Sequence, residues 1–320
     1  MEFVNQALAF FAYLFVFAAG LAVLSVIVLY VVDITQTTHA IRRNYPVIGR
    51  FRYYFEELGE FFRQYFFAMD REEMPFNRAE RSWVYRAAKG LDNTVAFGST
   101  RDLGRVGTPV FVNCPWPTLD SDAADPKPIT IGAGVCRLPY TTDRIFHVSG
   151  MSFGAISEPA IRALSNGARM AGCWLNTGEG GLSPFHLEGG ADIVFQIGTA
   201  KYGVRKPDGT LDEDKLREVA AHEQVRMFEI KLSQGAKPGK GGMLPGAKVT
   251  EEIAGVRGIP VGQDSNSPNR HLDISNAGEL LDFIDRVREI TGKPVGFKTV
   301  IGAYGWLQDL CWEAQSRGPQ

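Results

Sequence analysis

The hydrophobic pattern begins with an uninterrupted apolar stretch near the start of the chain. Residues 8–32 contain no charged side chain, and about 20 such residues suffice to cross a bilayer as a helix. The stretch lacks the basic start, short apolar core and small-residue cleavage site of a secretory signal. It also lacks the polar stripe of a helix that packs with one side against a core. We therefore predict one transmembrane helix, within an anchor that spans residues 1–35.

Charges behind this stretch predict its orientation. Four arginines follow it: Arg42, Arg43, Arg50 and Arg52. Cytoplasmic flanks of membrane helices carry an excess of basic residues. We therefore expect a single-pass membrane protein that contacts the lipid bilayer through this helix and whose catalytic domain faces the cytoplasm.

A juxtamembrane and lead-in segment is assigned to residues 36–143. Within it, residues 50–67 combine many Phe and Tyr side chains with charged ones. Such a segment can lie on the membrane surface or pack as a helix against the domain that follows, and the pattern leaves both possibilities open.

From residue 144 onward, short apolar runs alternate with amphipathic stretches. Strands are predicted over residues 145–149, 173–177, 193–197, 227–232 and 295–300. Helices are predicted from Ser157 to Gly172, over residues 212–223, behind the capping residue Asn276, and up to about residue 315. Repeated strand–helix units favour a parallel sheet with helices outside it. We predict an α/β fold in which residues 144–320 form the N-terminal part of a (β/α)8 TIM barrel, because a complete barrel takes about 250 residues.

Composition narrows the classes of function. The formal net charge is −2, and no long Lys or Arg run indicates a nucleic-acid partner. The four cysteines are widely spaced without a CxxC pair, so we expect reduced thiols and no metal site. The chain has neither a P-loop nor a Rossmann fingerprint. Glycines cluster between residues 150 and 262, which indicates loops where the backbone comes close to another group.

Two glycine-rich segments follow predicted strands, where a barrel of this type carries its active site. Residues 149–154 (SGMSFG) would let backbone amides approach a flat ring, and a plain tight turn is the alternative. Residues 176–181 (NTGEGG) place Glu179 between glycines. This carboxylate could take a proton or orient an imino nitrogen, and a solvated turn is the alternative. His186 and His271 are assigned no catalytic role.

Lysines within apolar strands are a further signal. Lys231 and Lys298 each lie in a predicted buried strand, where an ammonium group is costly without a polar or anionic partner. A reduced, negatively charged flavin would be such a partner, and a structural ion pair is the alternative. Lys237 lies on the glycine-rich loop behind the first of these strands, where it could bind a carboxylate or be solvated.

Five motifs, taken together and in order, are specific for one family. They read SGMSFGAIS (residues 149–157), NTGEGG (176–181), QIGTAKYG (196–203), EIKLSQGAKPGKGG (229–242) and FKTVIG (297–302). The chain resembles the flavin domain of glutamate synthases over about residues 80–310. It looks most similar to membrane-anchored, single-domain members of the FMN-binding glutamate synthase family.

The resemblance implies an FMN-binding (β/α)8 barrel that reduces 2-iminoglutarate, formed from 2-oxoglutarate and ammonia, to glutamate. It implies that Met151 and Ser152 lie against the flavin ring. The ring's polar edge would contact Gln196, Lys231 and Lys298. The 2-oxoglutarate carboxylates and the imine would be held by Glu179, Lys237 and Arg257. The resemblance does not identify the electron donor.

The chain departs from the large glutamate synthases in several respects. Met1 is followed by Glu2 rather than by a nucleophilic cysteine, and Lys240 and Met243 replace an acid and a glutamine of the loop. The cysteines of the family's iron–sulfur cluster are not present, so the sequence does not support such a cluster. Strands six to eight are missing, and with them the expected FMN phosphate site. We therefore expect this chain alone to bind FMN weakly or not at all, or a second chain to complete the barrel.

Two other functions stay open on the sequence. A related enzyme could transfer another amine on the same flavin, as in N-methylglutamate formation. Alternatively, the chain could be a truncated or split barrel without catalysis of its own.

Overall fold

The computed structural model describes residues 2–69, 71–92, 99, 101–112 and 114–318. The chain divides into two compact units, Met1–Pro115 and Trp116–Gln320, and each is described by itself below.

The first unit is helical. Its helices are α1 (Glu2–Thr35), α2 (Ala40–Asn44), α3 (Ile48–Phe62), which continues into a π-helical turn (Arg63–Phe67), and α4 (Arg78–Ala88). Helix α1 is long and apolar enough to cross a membrane, with a mean hydropathy of 2.8 over its most apolar window. Its apolar side chains are almost all exposed.

A buried ion pair joins the end of α1 to the start of α3. The carboxylate of Asp33 is fully buried and accepts from Arg50 Nη2 at 2.7 Å and from the Val47 amide at 2.9 Å. Helix α3 then exposes several aromatic side chains, including Phe51 and Phe55. Residues 50–67 are therefore helical, and the choice between a position on the membrane surface and packing against the following domain stays open.

The second unit alternates strands and helices. Its strands are β1 (Ile129–Ile131), β2 (Tyr140–Thr142), β3 (Leu175–Asn176), β4 (Ile193–Ile197), β5 (Val225–Lys231), β6 (Met243–Leu244), β7 (Ser265–Asn266) and β8 (Val295–Lys298). Its helices are α5 (Glu158–Ala171), α6 (Pro184–Glu188), α7 (Glu213–Ala221), α8 (Glu251–Arg257), α9 (Ala277–Thr291) and α10 (Gly305–Arg317).

The central sheet has four parallel strands in the order β3-β4-β5-β8. The predicted strand over residues 145–149 is wrong as a full strand, because only Val148 forms a parallel bridge, to Leu175. Strand β4 matches its predicted range, the ends of β5 lie within two residues of the prediction, and β3 and β8 are shorter than predicted. The parallel α/β architecture is thus confirmed, and closure into a barrel stays a prediction.

One face of this sheet carries the main hydrophobic core. Ile193, Phe195 and Ile197 of β4 pack there with side chains of α7, α9 and α10. The register of β4 and β5 shifts between Ile193 and Val194, where β5 carries one extra residue, Arg226. This irregularity keeps Phe228 and Ile230 on the core face, since a one-residue shift reverses the facing of every later side chain.

Helix ends follow the local signals in most cases. Helix α5 ends at Gly172, which adopts the left-handed conformation with φ 66° that glycine tolerates best. The side chain of Asn276 accepts from the Glu279 amide at 2.9 Å and so caps α9. Ser157 precedes α5 as predicted, but its side chain forms no capping hydrogen bond.

Candidate active site

A row of polar side chains lies on the sheet face opposite the main core. The row consists of Asn176, Gln196, Glu229, Lys231 and Lys298. Alternation along each strand puts these residues on one face, because Phe195, Ile197, Phe228 and Ile230 occupy the other. The parallel pairing sets Gln196 level with Glu229, and Lys231 level with Lys298.

Three members of this row form a hydrogen-bonded network around one carboxylate oxygen. Glu229 Oε1 accepts from Gln196 Nε2 at 2.6 Å and from Asn176 Nδ2 at 2.9 Å. Asn176 Oδ1 in turn accepts from the Gly178 amide at 2.9 Å. The network therefore links the sheet face to the turn that carries Glu179.

The Met151–Ser152 backbone packs closely on this turn. The Met151 amide donates to the Asn176 carbonyl at 3.0 Å. A Cβ built on Gly178 would lie 2.4 Å from Ser152 Oγ, and Gly178 has φ 64°. Only glycine fits at this position, so the two glycine-rich motifs of the sequence form one compact wall.

His186 supports this wall from behind. Its ring is fully buried, its Nε2 lies 2.9 Å from the Met151 carbonyl, and its Nδ1 lies 2.8 Å from Ser183 Oγ. Burial lowers the pKa of His186, so the ring is neutral and donates from Nε2. The histidine therefore positions the Met151 carbonyl.

Glu179 is the centre of a second cluster. Its Oε2 accepts from Gln234 Nε2 at 2.7 Å and from Lys231 Nζ at 3.1 Å, and Lys231 also donates to Gln234 Oε1 at 2.8 Å. The side chains of Lys231 and Glu179 are 14% and 15% exposed. The lysine therefore has the ion-pair partner that its position requires, and the carboxylate still reaches the surface of the site.

Glycines bring two backbone segments up to Glu179. A Cβ on Gly242 would lie 2.3 Å from Glu179 Oε1, and one on Gly198 would lie 2.6 Å from Glu179 Cβ. The Gly242 carbonyl accepts from the Ser267 amide at 2.8 Å. The loop behind β5 is thus folded back over the carboxylate, and Gly241 and Gly242 make this possible because a Cβ at either position would clash with its neighbours.

Arg257 lies at the end of α8, close to the same turn. Its guanidinium is buried and donates to the Phe153 carbonyl and to Ser265 Oγ, each at 3.2 Å. Its Nε has no hydrogen-bond partner among the described residues. Burial lowers the pKa of Arg257, and the negative charge of Glu179 acts against this. The structure therefore brings Arg257 and Glu179 into one electrostatic environment.

Lys237 and Lys298 are not tied into either cluster. Both side chains are exposed, and neither forms a hydrogen bond or ion pair with the part of the chain that the structure describes. Lys298 belongs to the polar row by register. Lys237 lies on the loop that folds over Glu179, without contacting it.

Three residues of these clusters were not predicted from the sequence: Asn176, Glu229 and Gln234. A signal was present for Glu229, which precedes Lys231 by two positions and therefore shares its face of the strand. Asn176 and Gln234 lie within motifs that were recognised, but only the hydrogen bonds distinguish them from their neighbours.

A cavity of about 700 Å³ opens elsewhere in this unit, between the start of α9 and helix α10. Trp306, His271 and Glu313 are among the residues that line it. None of the candidate site residues lines this cavity, so it does not enlarge the site around Glu179.

Comparison with known proteins identifies the family to which this chain is similar. The family model described as "Conserved region in glutamate synthase" matches residues 118–306. The "Glutamate synthase large subunit-like protein YerD" of Bacillus subtilis is 38% identical over 328 residues, 91% of this chain and 62% of the relative. The "Archaeal-type glutamate synthase [NADPH]" of Thermotoga maritima is 42% identical over 152 residues, 47% of this chain and 27% of the relative.

The chain thus spans less than two thirds of the length of these relatives. The matched region includes both polar clusters, the glycine-rich wall and the strands that carry them. The chain therefore belongs to the glutamate synthase family.

Proposed function

We propose that this chain forms the flavin-ring and substrate portion of an FMN-dependent oxidoreductase that reduces 2-iminoglutarate to glutamate. The observation that supports this most directly is the position of the Glu179–Lys231–Gln234 cluster. This cluster adjoins the sheet face that carries Gln196 and Lys298, whose amide and ammonium groups are the ones that a bound ligand would engage.

The residues present fit a flat heteroaromatic ring. The Met151–Ser152 backbone packs directly on Gly178, with Ser152 Oγ close to this glycine and the Met151 side chain packed against the apolar clusters. Gln196, Lys231 and Lys298 supply an amide and two ammonium groups, which suit the carbonyl and ring-nitrogen edge of a flavin. When bound and reduced, FMN would supply the hydride equivalent, and the protein's contribution is orientation and electrostatics.

The substrate is a dicarboxylate that becomes cationic at its imine nitrogen. Glu179 would hold and orient the protonated imine, because a carboxylate attracts the iminium and accepts its N–H. Arg257 and Lys237 are the cations proposed for the two carboxylates. Reduction forms a C–H bond at C2 and breaks the C=N π bond, and the nitrogen ends as the amine of glutamate.

The test measures glutamate formation directly. The full chain, purified in detergent and supplied with FMN, is reduced by dithionite under argon and mixed with 2-oxoglutarate and ammonium. The ammonium carries an isotope label, and we expect the visible flavin absorbance to return as labelled glutamate appears. Glu179→Gln should slow this step by about a hundredfold or more, without changing the flavin spectrum before mixing.

Matched controls separate this function from its alternatives. Glu218→Gln removes an equally charged side chain that is exposed on α7, and it should leave the rate unchanged. Methylammonium in place of ammonium tests for N-methylglutamate formation. Flavin binding by the chain is verified first by fluorescence quenching. If flavin is bound and no amine reoxidises its reduced form, the proposed reaction is wrong.

We also propose that α1 anchors the protein in a membrane, with the second unit in the cytoplasm. The length and apolar character of α1 support the anchor, and the arginines behind it support the orientation. Cells that produce the tagged chain are fractionated with and without detergent, and intact vesicles are treated with protease. Recovery in the soluble fraction without detergent would contradict the anchor. In vesicles whose cytoplasmic face is exposed to the protease, the second unit should be digested, and its protection would contradict the orientation.

A further inference from the structure

Glu229 differs from the rest of the polar row, because no direct contact with the flavin is proposed for it and yet its carboxylate holds two side-chain amides. Its Oε1 accepts from Gln196 Nε2 at 2.6 Å and from Asn176 Nδ2 at 2.9 Å. The residues come from three adjacent strands of the parallel sheet. Glu229 therefore determines how two side-chain amides are turned on the face proposed for the flavin.

The chemistry of these groups leaves only one orientation for Gln196. An ionised carboxylate only accepts hydrogen bonds, whereas an amide has one donating and one accepting end. With its Nε2 turned to Glu229, Gln196 presents Oε1 elsewhere. No described residue donates a hydrogen bond to this Oε1, and the atom is not among the fully buried polar atoms without a partner, although Gln196 as a whole is only 2% exposed. An acceptor that a ligand can reach is thus left on this face of the sheet.

The neighbouring strand leaves room for such a ligand. Gly296 of β8 is the register partner of Glu229, and a Cβ built on Gly296 would meet no atom within 4 Å. One row of register partners therefore crosses three strands through Gln196, Glu229 and Gly296. Because Gly296 has no side chain, the space beside Glu229 on β8 is empty. The next level along β5 carries Lys231.

We propose that Glu229 is a positioning residue that makes Gln196 an obligate acceptor, so that the site selects a flavin ring through its N3–H donor. This inference rests on the proposed flavin site, and it explains why Gln196 faces the flavin with its acceptor oxygen rather than with its amide N–H. The polar edge of the isoalloxazine presents one N–H between two carbonyl oxygens. An acceptor opposite the N–H and lysine donors opposite the carbonyls are complementary to this pattern.

The test uses two flavins that lack the phosphate and ribityl groups, and it needs no turnover. Lumiflavin and 3-methyllumiflavin, in which a methyl group replaces the N3 hydrogen, are titrated into the detergent-purified full chain, and binding is followed by fluorescence quenching. A buried acceptor left without its donor weakens binding, so wild type should bind the methyl compound about tenfold less tightly or worse.

Glu229→Gln distinguishes positioning from simple steric exclusion. A glutamine at this position both donates and accepts, so Gln196 can turn either end towards the ligand. We expect the preference for lumiflavin to shrink towards parity, although the methyl group is equally large in both proteins. If Glu229→Gln fails to fold, Glu229→Met, which also frees the Gln196 amide, is expected to give the same loss of preference.

A matched control is available at the other end of the same strand. Glu223→Gln removes an exposed carboxylate just before β5 and should leave the preference at its wild-type value. Wild-type protein that binds neither compound would overturn the flavin site and this inference together. Equal binding of both compounds by wild type, or an undiminished preference in Glu229→Gln, would overturn the inference and leave the flavin site standing.

Discussion

Lys231 and Lys298 are register partners on adjacent strands and share a face of the sheet, but their surroundings differ. Lys231 is largely buried and donates to Glu179 and Gln234. Lys298 is exposed. A lysine that satisfies a partly buried carboxylate stabilises the fold, whereas an exposed lysine at the same level is available for a ligand.

Replacement of each lysine by methionine separates these roles. Lys231→Met leaves the Glu179 carboxylate with one fewer donor, and we expect the free energy of unfolding to fall by about 1–3 kcal/mol. Lys298→Met should change it by no more than about 0.5 kcal/mol. Urea unfolding of the full chain in detergent measures both, and equal losses would contradict the assignment.

A pH dependence is expected from His186. Burial lowers its pKa in the folded protein, below the unfolded value of about 6.5. The contribution of His186 to the free energy of unfolding is therefore fully present above about pH 6.5. It is lost as the pH falls towards the lowered folded-state pKa, because the unfolded chain then binds a proton that the folded chain does not. One such proton corresponds to a slope of at most about 1.4 kcal/mol per pH unit.

His186→Gln should flatten this slope, in addition to its constant loss of hydrogen bonds. Unfolding free energies measured at a series of pH values between neutrality and moderate acidity give the slope. His222→Gln is the control, because His222 is exposed at the end of α7. A slope that is the same in wild type and His186→Gln would show that another group is responsible.

At the scale of elements, two helix starts with similar sequence signals differ in their caps. Asn276 accepts from the Glu279 amide, and the Glu279 carboxylate accepts from the Ser275 amide at 2.6 Å. Ser157 makes no such bond at the start of α5. We expect Asn276→Ala to destabilise the protein by about 1 kcal/mol, and Ser157→Ala by clearly less. Hydrogen exchange in the first turn of each helix locates the loss, and similar exchange in both variants would contradict the difference in capping.

At the scale of the whole molecule, the described residues between α4 and β1 form little regular structure. One 3-10 turn (Asp120–Asp122) lies there, and Arg101, Arg105 and Lys127 are exposed. Proteases cut preferentially at exposed segments of this kind. Brief trypsin treatment of the full chain should therefore cut first between residues 101 and 127, as read by mass spectrometry. First cuts within the central sheet, residues 175–298, would contradict the division into units.

Several features of the protein were predictable from local sequence. The apolar run over residues 8–32 predicts α1, and the short apolar runs predict β4, β5 and β8 within a parallel sheet. These signals are local, because hydrophobic periodicity and glycine positions act within one element. The order of the motifs also sufficed to indicate the family, which the comparison confirms.

Other features were decided only by the tertiary structure. Glu179 meets Lys231 and Gln234 across separations of 52 and 55 residues, and Gln196 meets Glu229 across 33. The extra residue Arg226 in β5 decides which later side chains face the core. Alternation along a strand predicts which residues share a face, but strand register decides which of them meet across the sheet. The use of a carboxylate or an amide depends on its partners, and those are brought together only by the fold.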